Sequence, residues 1–202
     1  MKSDKRNLPA YLLMTAACLW SAGCASSHPV HYYTLASAEP HAGPSVADGP
    51  VILVANIAAS IALQDFRIRY RMGPNEEGAY EYYHWSEEPG IMVRNALIQA
   101  LRASGKYKRV LESSSSGVGD YLVRGRLYAF DEQDSPTMQT KISVQVELID
   151  KKTSRVVWDH LFEHDEPAGK SMDEVVASMD RNLGQVAGQA AAGVGQFLAG
   201  AK

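Results

Sequence analysis

The strictest pattern in this sequence is an alternation of polar and apolar side chains between residues 139 and 149. Its inward-facing members are Ile142, Val144, Val146 and Leu148. A period of two places these side chains on one face of a β-strand and the polar ones between them on the other face. Strands with one covered and one solvated face are typical of antiparallel sheets. The pattern therefore predicts a half-buried antiparallel strand.

Neighbouring segments supply partners for that strand. Residues 120–130 predict a long strand before it. Lys151, Lys152 and Thr153 predict a turn after it, and residues 156–164 predict the returning strand. The three strands are expected to form an antiparallel meander.

Five earlier segments also predict strands. The run 51–57 is continuously apolar, which is typical of a strand buried on both faces. In residues 66–72 apolar side chains alternate with three arginines, so one half-buried face is expected. After a turn at residues 73–75, tyrosines and a tryptophan favour a strand at 79–85. A first strand is expected at 31–35, and a short one begins at 110–111.

Two helices are expected as well. Ser86 is a suitable N-cap, Pro89 is tolerated in the first turn that follows, and Gly105 ends the apolar periodicity. Ser171 and Glu174 form a capping box that opens a second helix, which extends to about residue 198. The predicted fold class is α/β, more closely α+β, with two main helices packed on a mixed, largely antiparallel sheet.

The N-terminal region has the organisation of an export signal. Lys2, Lys5 and Arg6 are positively charged, and residues 8–20 form an apolar stretch too short to span a bilayer. Residues 21–24, Ser-Ala-Gly-Cys, are similar to the lipobox of bacterial lipoproteins. The similarity predicts cleavage after residue 23.

Cys24 would then be the first residue of the mature chain and would carry the lipid anchor. Cys18 leaves with the signal, so no thiol remains in the folded domain for a disulfide. Ser21 stands where leucine is usual, and an ordinary secretory signal or a membrane helix is the alternative. Neither Ala25 nor Ser26 is the aspartate that tends to retain Gram-negative lipoproteins in the inner membrane, which favours the periplasmic face of the outer membrane.

The 202 residues suit one medium-sized domain. We expect a lipoprotein signal peptide at 1–23 and a single globular domain at 51–199. Between them, residues 24–50 hold the lipidated cysteine, the first strand, which joins the domain, and a flexible linker.

The composition and motifs argue against several kinds of function. The net charge is −3, so no basic excess points to nucleic acid. His160 and His164 are four residues apart, but in a strand this spacing separates them by about 13 Å along the chain, too far for one metal ion. The sequence has no phosphate-binding glycine loop and no nucleophile elbow. We therefore expect no catalytic residues, cofactor or metal.

Arg67, Arg69 and Arg71 should share one face of their strand. Arg124 and Arg126 should do the same on another strand. Such a face suits an anionic partner or lipid head groups. The alternative is a solvated face whose arginines pair with acidic residues, for which the candidates are Glu81, Glu87 and Glu88.

The last helix carries small residues on several sides, which permits close packing. They are Gly184, Ala187, Gly188, Ala191 and Gly195. They could serve the domain core, which we favour, or a contact with a partner or with a second copy of the chain.

After the lipobox-like segment, aromatic, arginine and turn residues follow one another in a distinctive order. They are Tyr32, Tyr33, Thr34, Leu35, Ile68, Arg69, Tyr70, Arg71, Tyr80, Tyr82, Trp85, Pro89, Ser104, Gly105, Asp120, Tyr121, Leu122, Phe130, Leu148, Ile149, Asp150 and Phe162. This ordered set resembles the ABC-type transport auxiliary lipoprotein family. The resemblance extends over nearly the whole mature chain.

The resemblance implies a fold like the TolB N-terminal domain. It also implies partners, namely an ABC permease, its ATPase and an MCE-domain substrate-binding protein that move lipids across the envelope. In such a system the lipoprotein docks the transporter and has no catalytic residues. Two other functions stay open: a structural envelope lipoprotein that binds another machine or the cell wall, and a hydrolase, which would need a deep pocket with a convergent acid and base.

Overall fold

A computed structural model of the chain describes residues 28–39, 43–113, 118–134 and 136–200. The expected signal peptide and the expected lipidation site, Cys24, lie outside the described residues. Within the described ranges, no helix is long and apolar enough to cross a membrane.

The described residues form eight strands and two α-helices. The strands are β1 (His31–Tyr33), β2 (Val51–Ala59), β3 (Arg67–Gly73), β4 (Glu76–Trp85), β5 (Arg109–Glu112), β6 (Tyr121–Asp134), β7 (Met138–Asp150) and β8 (Arg155–Pro167). The helices are α1 (Pro89–Ala103) and α2 (Met172–Gly200). Two short 3-10 turns, Ala36–Ala38 and Ile61–Leu63, complete the regular elements.

All eight strands belong to one sheet that is organised around β6. One edge of β6 pairs with β7 along its whole length, and β8 follows on β7, so the predicted antiparallel meander is confirmed. The other edge of β6 is shared by two parallel partners. β2 pairs with its first half and β3 with Glu132 and Gln133 in its second half. β5 continues the sheet beyond β2, and β4 followed by β1 continues it beyond β3.

Most paired residues lie in the antiparallel ladders, and both helices pack on one face of the sheet. α1 packs on β2 and β5, whereas α2 packs on β7, β8 and α1. The four inward-facing residues of β7 are fully buried, as the alternation predicts. The predicted mixed, largely antiparallel α+β fold is confirmed.

A fully buried polar cluster fastens α2 to the sheet. The Asn182 side-chain amide donates to the backbone carbonyls of Thr140 (2.8 Å) and His164 (3.1 Å). The hydroxyls of Ser178 and Thr140 lie 2.9 Å apart. Because each of these polar groups has a partner, the cluster fixes the position of the helix without leaving an unsatisfied donor in the core.

The predicted helix termini are confirmed except at the start of α1. The N-cap is Glu88 rather than Ser86, because the Ser86 backbone N–H donates to the carbonyl of Tyr33 (2.8 Å) and so extends the β1–β4 contact. Gly105 follows the helix with φ +64°, a conformation that glycine adopts at low cost. The capping box of α2 is formed, since Ser171 donates to Glu174 through its backbone N–H at 3.0 Å.

The residues expected to form a linker begin as packed structure. Ala38 is buried, and the Ser37 backbone N–H donates to the Asp180 carboxylate on α2 (2.8 Å). The small residues of α2 divide between two environments. Ala187, Ala191 and Gly195 are buried, as the core interpretation expects, whereas Gly184 and Gly188 are exposed.

Candidate docking surface

Arg67, Arg69 and Arg71, here called the arginine stripe, lie on the face of the sheet opposite the helices. Each guanidinium is already paired with a carboxylate. Arg67 pairs with Asp65 (2.5 Å), and Arg69 and Arg71 hold the two oxygens of Glu77 at 2.8 and 3.0 Å. The stripe is thus a set of ion pairs on the face of the sheet that carries no helix.

These carboxylates differ from the ones that sequence analysis named. The β3–β4 hairpin places Glu77 directly opposite Arg71, and irregular pairing farther along β4 changes the alignment before Glu81. Glu87 accepts a hydrogen bond from Asn95, on α1, at 3.2 Å. The alternative in which the arginines pair with acidic residues is therefore confirmed, although the partners named for it, Glu81, Glu87 and Glu88, are wrong.

The apolar side of β3 is less regular than its alternation suggests. Ile68 is buried and Tyr70 half-buried, whereas Phe66 and Met72 are largely exposed. β3 pairs with the central strand only at Tyr70 and Arg71, and the two exposed side chains lie on either side of this pairing.

A buried carboxylate, Asp131 on β6, lies beside the stripe. Its Oδ2 atom is 3.5 Å from Nε of Arg71, and only 5% of the residue is exposed. Burial raises the pKa of Asp131 above its ordinary value, while the positive charge of Arg71 opposes that rise. Arg71 thus compensates a charge that the sheet has removed from water.

The next residue, Glu132, is buried on the opposite face. The Tyr80 hydroxyl donates to its carboxylate at 3.0 Å. Burial raises the pKa of Glu132, and burial together with the nearby carboxylate also raises the pKa of Tyr80. β6 therefore presents two consecutive buried carboxylates, one to each side of the sheet.

The sequence pattern predicts a strand that ends at Phe130, so these two carboxylates were not expected within it. The polar run that follows, Asp131 to Asp134, has the composition of a turn, yet it continues β6. The tyrosines of 79–85 could have indicated a nearby acceptor such as Glu132, because a buried tyrosine hydroxyl needs a hydrogen-bond partner.

The exposed fraction of each arginine side chain indicates what the stripe can do. It is 49% for Arg67, 33% for Arg71 and 14% for Arg69. Arg124, on the same face, pairs with Glu147 at 2.6 Å and is more than half exposed. Arg67 and Arg124 are therefore the most accessible of these paired cations.

His160 and His164 lie on β8, as predicted for a strand. His164 contacts the Asn182 side chain through Nδ1 (3.2 Å), and the His160 ring lies edge-on to Phe162 with centroids 4.7 Å apart. In the described part of the chain, no group of three or more histidine, cysteine or acidic residues is arranged to hold a metal ion.

A cavity of about 660 Å³ lies where the end of α2 meets the loops around residues 46–50 and 105–107. Asp120 lines it, but that carboxylate accepts a hydrogen bond from the Val51 backbone N–H (2.8 Å). Asp120 thus contributes to holding β2 beside β6.

Comparison with known proteins identifies the family of the chain. It matches the family model of the ABC-type transport auxiliary lipoprotein component over residues 33–191. Its fold is similar to that of protein XCC0632 from Xanthomonas campestris, of family DUF330, with a TM-score of 0.72 and 20% identity over 85% of this chain and 97% of that one.

A second crystal structure, of an uncharacterized protein, gives a TM-score of 0.65 and 15% identity over 83% of this chain and 99% of that one. At such identities these likenesses establish the fold alone. A search of curated proteins finds no match. Because the family model matches well over half of the sequence, the chain belongs to the ABC-type transport auxiliary lipoprotein family.

Proposed function

We propose that this protein is a lipid-anchored adaptor on the periplasmic face of the outer membrane, where it docks an ABC transporter and its MCE-domain substrate-binding protein during lipid transport. The observation that carries the proposal is the family match over residues 33–191. Membership implies an auxiliary lipoprotein of ABC transport that is anchored to a membrane of the cell envelope. The adaptor role without catalysis, the MCE partner and the choice of membrane are the proposed parts.

The anchor would act through concentration. Acyl chains on Cys24 hold the domain at one surface, and each buried methylene stabilises that attachment by about 0.8 kcal/mol. A tethered domain meets a membrane-bound partner at a high effective concentration, so a weak docking surface is sufficient.

The first test removes the acylated thiol. Cys24→Ala should move the protein from the membrane fraction to the soluble fraction, because the variant lacks the thiol that would carry the acyl chains. The measurement is fractionation with mass spectrometry of the processed N-terminus. An unchanged amount of the variant in the membrane pellet would contradict the anchor.

The arginine stripe is the proposed contact with the transporter. The Arg67–Asp65 pair is solvent-exposed, and such pairs contribute only about 0–1 kcal/mol. A carboxylate-rich or phosphate-bearing partner can therefore replace Asp65 at small cost. Arg71 is less suited to this exchange because it also compensates buried Asp131.

The second test uses Arg67→Ala combined with Arg69→Ala, which leaves Arg71 in place. Loss of two interfacial charges should weaken capture of the purified MCE-domain protein by roughly tenfold, and the loss should shrink at high salt. Arg124→Ala combined with Arg126→Ala is the matched control, since it removes the same charge from the same face. Equal capture by both double variants and wild type would exclude the stripe as the contact.

A further inference from the structure

Aromatic and imidazole rings line the β1 edge of the sheet. His28 lies against Tyr82 with ring centroids 5.1 Å apart, His31 against Tyr83 at 5.6 Å, and Tyr32 edge-on to His84 at 5.6 Å. We call these six residues the ring ladder. Alternation along β1 and β4 distributes the pairs over both faces of the sheet, so the rings surround its edge.

This edge is open to its surroundings. Tyr32 is 67% exposed and Val30 41% exposed. Among the described strands β1 pairs only with β4, so the outer side of β1 has no strand partner. Large, partly apolar side chains with polar ends are thus concentrated where the sheet terminates.

The same edge is where the described chain begins. Four Cα-to-Cα steps separate Cys24 from His28, and a fully extended chain spans roughly 14 Å over that length, however those residues are arranged. A bilayer is about 30 Å thick in its hydrocarbon core and about 40–45 Å with its head groups, so each head-group layer measures some 5–8 Å. An acylated Cys24 would therefore hold His28 within a short distance of the head groups.

We infer that the β1 edge with its ring ladder is the membrane-facing surface of the protein, with Val30 and Tyr32 in the head-group layer of a phospholipid bilayer. The inference rests on the acylation of Cys24 proposed above. It adds an orientation to that anchor, because a tether alone does not determine which surface touches the lipid.

The chemistry of these side chains suits that location. Tyrosine rings place an apolar body and a polar tip across the boundary between acyl chains and head groups, and they are enriched at membrane–water interfaces. Arg67, the nearest arginine of the stripe, lies on β3, two strands away from β1. The contact is therefore expected to depend on the rings rather than on anionic lipid, and to persist when salt is raised.

The test places a fluorescent probe on the edge. Tyr32→Trp is made in the acylated mature protein, which begins at Cys24, and is reconstituted in phosphatidylethanolamine–phosphatidylglycerol vesicles that contain a lipid brominated close to its head group. Tyr128→Trp is the matched control, since Tyr128 is 53% exposed but lies on β6, three strands away from β1. Wild-type protein supplies the background from Trp85 and Trp158.

We expect the brominated lipid to quench Tyr32→Trp by roughly twofold more than wild type at low and at high salt, and Tyr128→Trp no more than wild type. Quenching confined to Tyr128→Trp would overturn the inference by showing that the sheet lies flat on the lipid. Co-flotation with vesicles and no added quenching of either variant would overturn the orientation and leave the anchor intact. Loss of co-flotation in wild type would overturn both. Circular dichroism of each variant checks folding.

Discussion

The compensation of Asp131 by Arg71 makes a quantitative prediction. At 3.5 Å two unit charges interact by about 1 kcal/mol in water and about 5 kcal/mol at an effective dielectric constant of 20. Since a third of the Arg71 side chain is exposed, the lower part of that range applies. Arg71→Ala should therefore reduce the free energy of unfolding by about 2 kcal/mol, or lower Tm by roughly 4–8 °C in a domain of this size.

The assay is urea unfolding followed by circular dichroism, with Asp131→Asn as the second arm of a double-mutant cycle. Asp131→Asn removes the buried charge, so Arg71→Ala should cost less than half as much in that background. An unchanged m-value would show that only stability has changed.

The pH dependence gives an independent check. Removal of Arg71 raises the pKa of Asp131 further, because the opposing positive charge is lost. A carboxyl with a raised folded-state pKa penalises the fold when it is ionised, and that penalty disappears as pH falls through the pKa. The cost of Arg71→Ala should thus be smaller at about pH 4.5 than at about pH 7.5. An equal cost at both pH values and in both backgrounds would refute the compensation.

Two further substitutions examine the sheet and its helix. A Cβ atom on Gly125 would lie 2.3 Å from the Gln145 carbonyl oxygen, so Gly125→Ala should reduce the free energy of unfolding by about 2–3 kcal/mol. Gly73→Ala is the control, because a Cβ atom there would meet nothing within 4 Å. It should change the free energy of unfolding by under about 1 kcal/mol. Asn182→Ala should cost about 2–3 kcal/mol in urea unfolding, because the Thr140 carbonyl and its neighbours lose a buried donor; an effect within experimental error would contradict the role of this cluster.

The meander and both helices could be predicted because their signals are local. The alternation covers most of the 13 residues of β7. It allows only one register toward the core, since a shift by one residue would bury the polar face of the strand. The capping box at Ser171 and Glu174 likewise needs only four consecutive residues. The local sequence of such elements is therefore sufficient to predict them.

The features that were not predicted depend on contacts between residues that are distant in the sequence. Asp131 and Glu132 belong to a strand because Arg71 and Tyr80, more than fifty residues earlier, compensate them. Ser86 is not an N-cap because the carbonyl of Tyr33 engages its backbone N–H. No local pattern encodes these pairings, and the same is true of the ion partners of the arginine stripe.

The order of strands connects the two proposed surfaces. β1, β4 and β3 are consecutive neighbours, and adjacent strands lie about 4.8 Å apart, so the stripe on β3 is roughly 10 Å from the β1 edge. β8 is five strands from β1, at roughly 24 Å. If the β1 edge rests on the bilayer, the sheet stands on its edge and a partner must approach the stripe close to the membrane surface. Docking would then require the anchor and the stripe together. An unanchored domain would still expose its arginines to solvent, but it would not hold them at the distance from the membrane surface where a membrane-bound transporter could contact them.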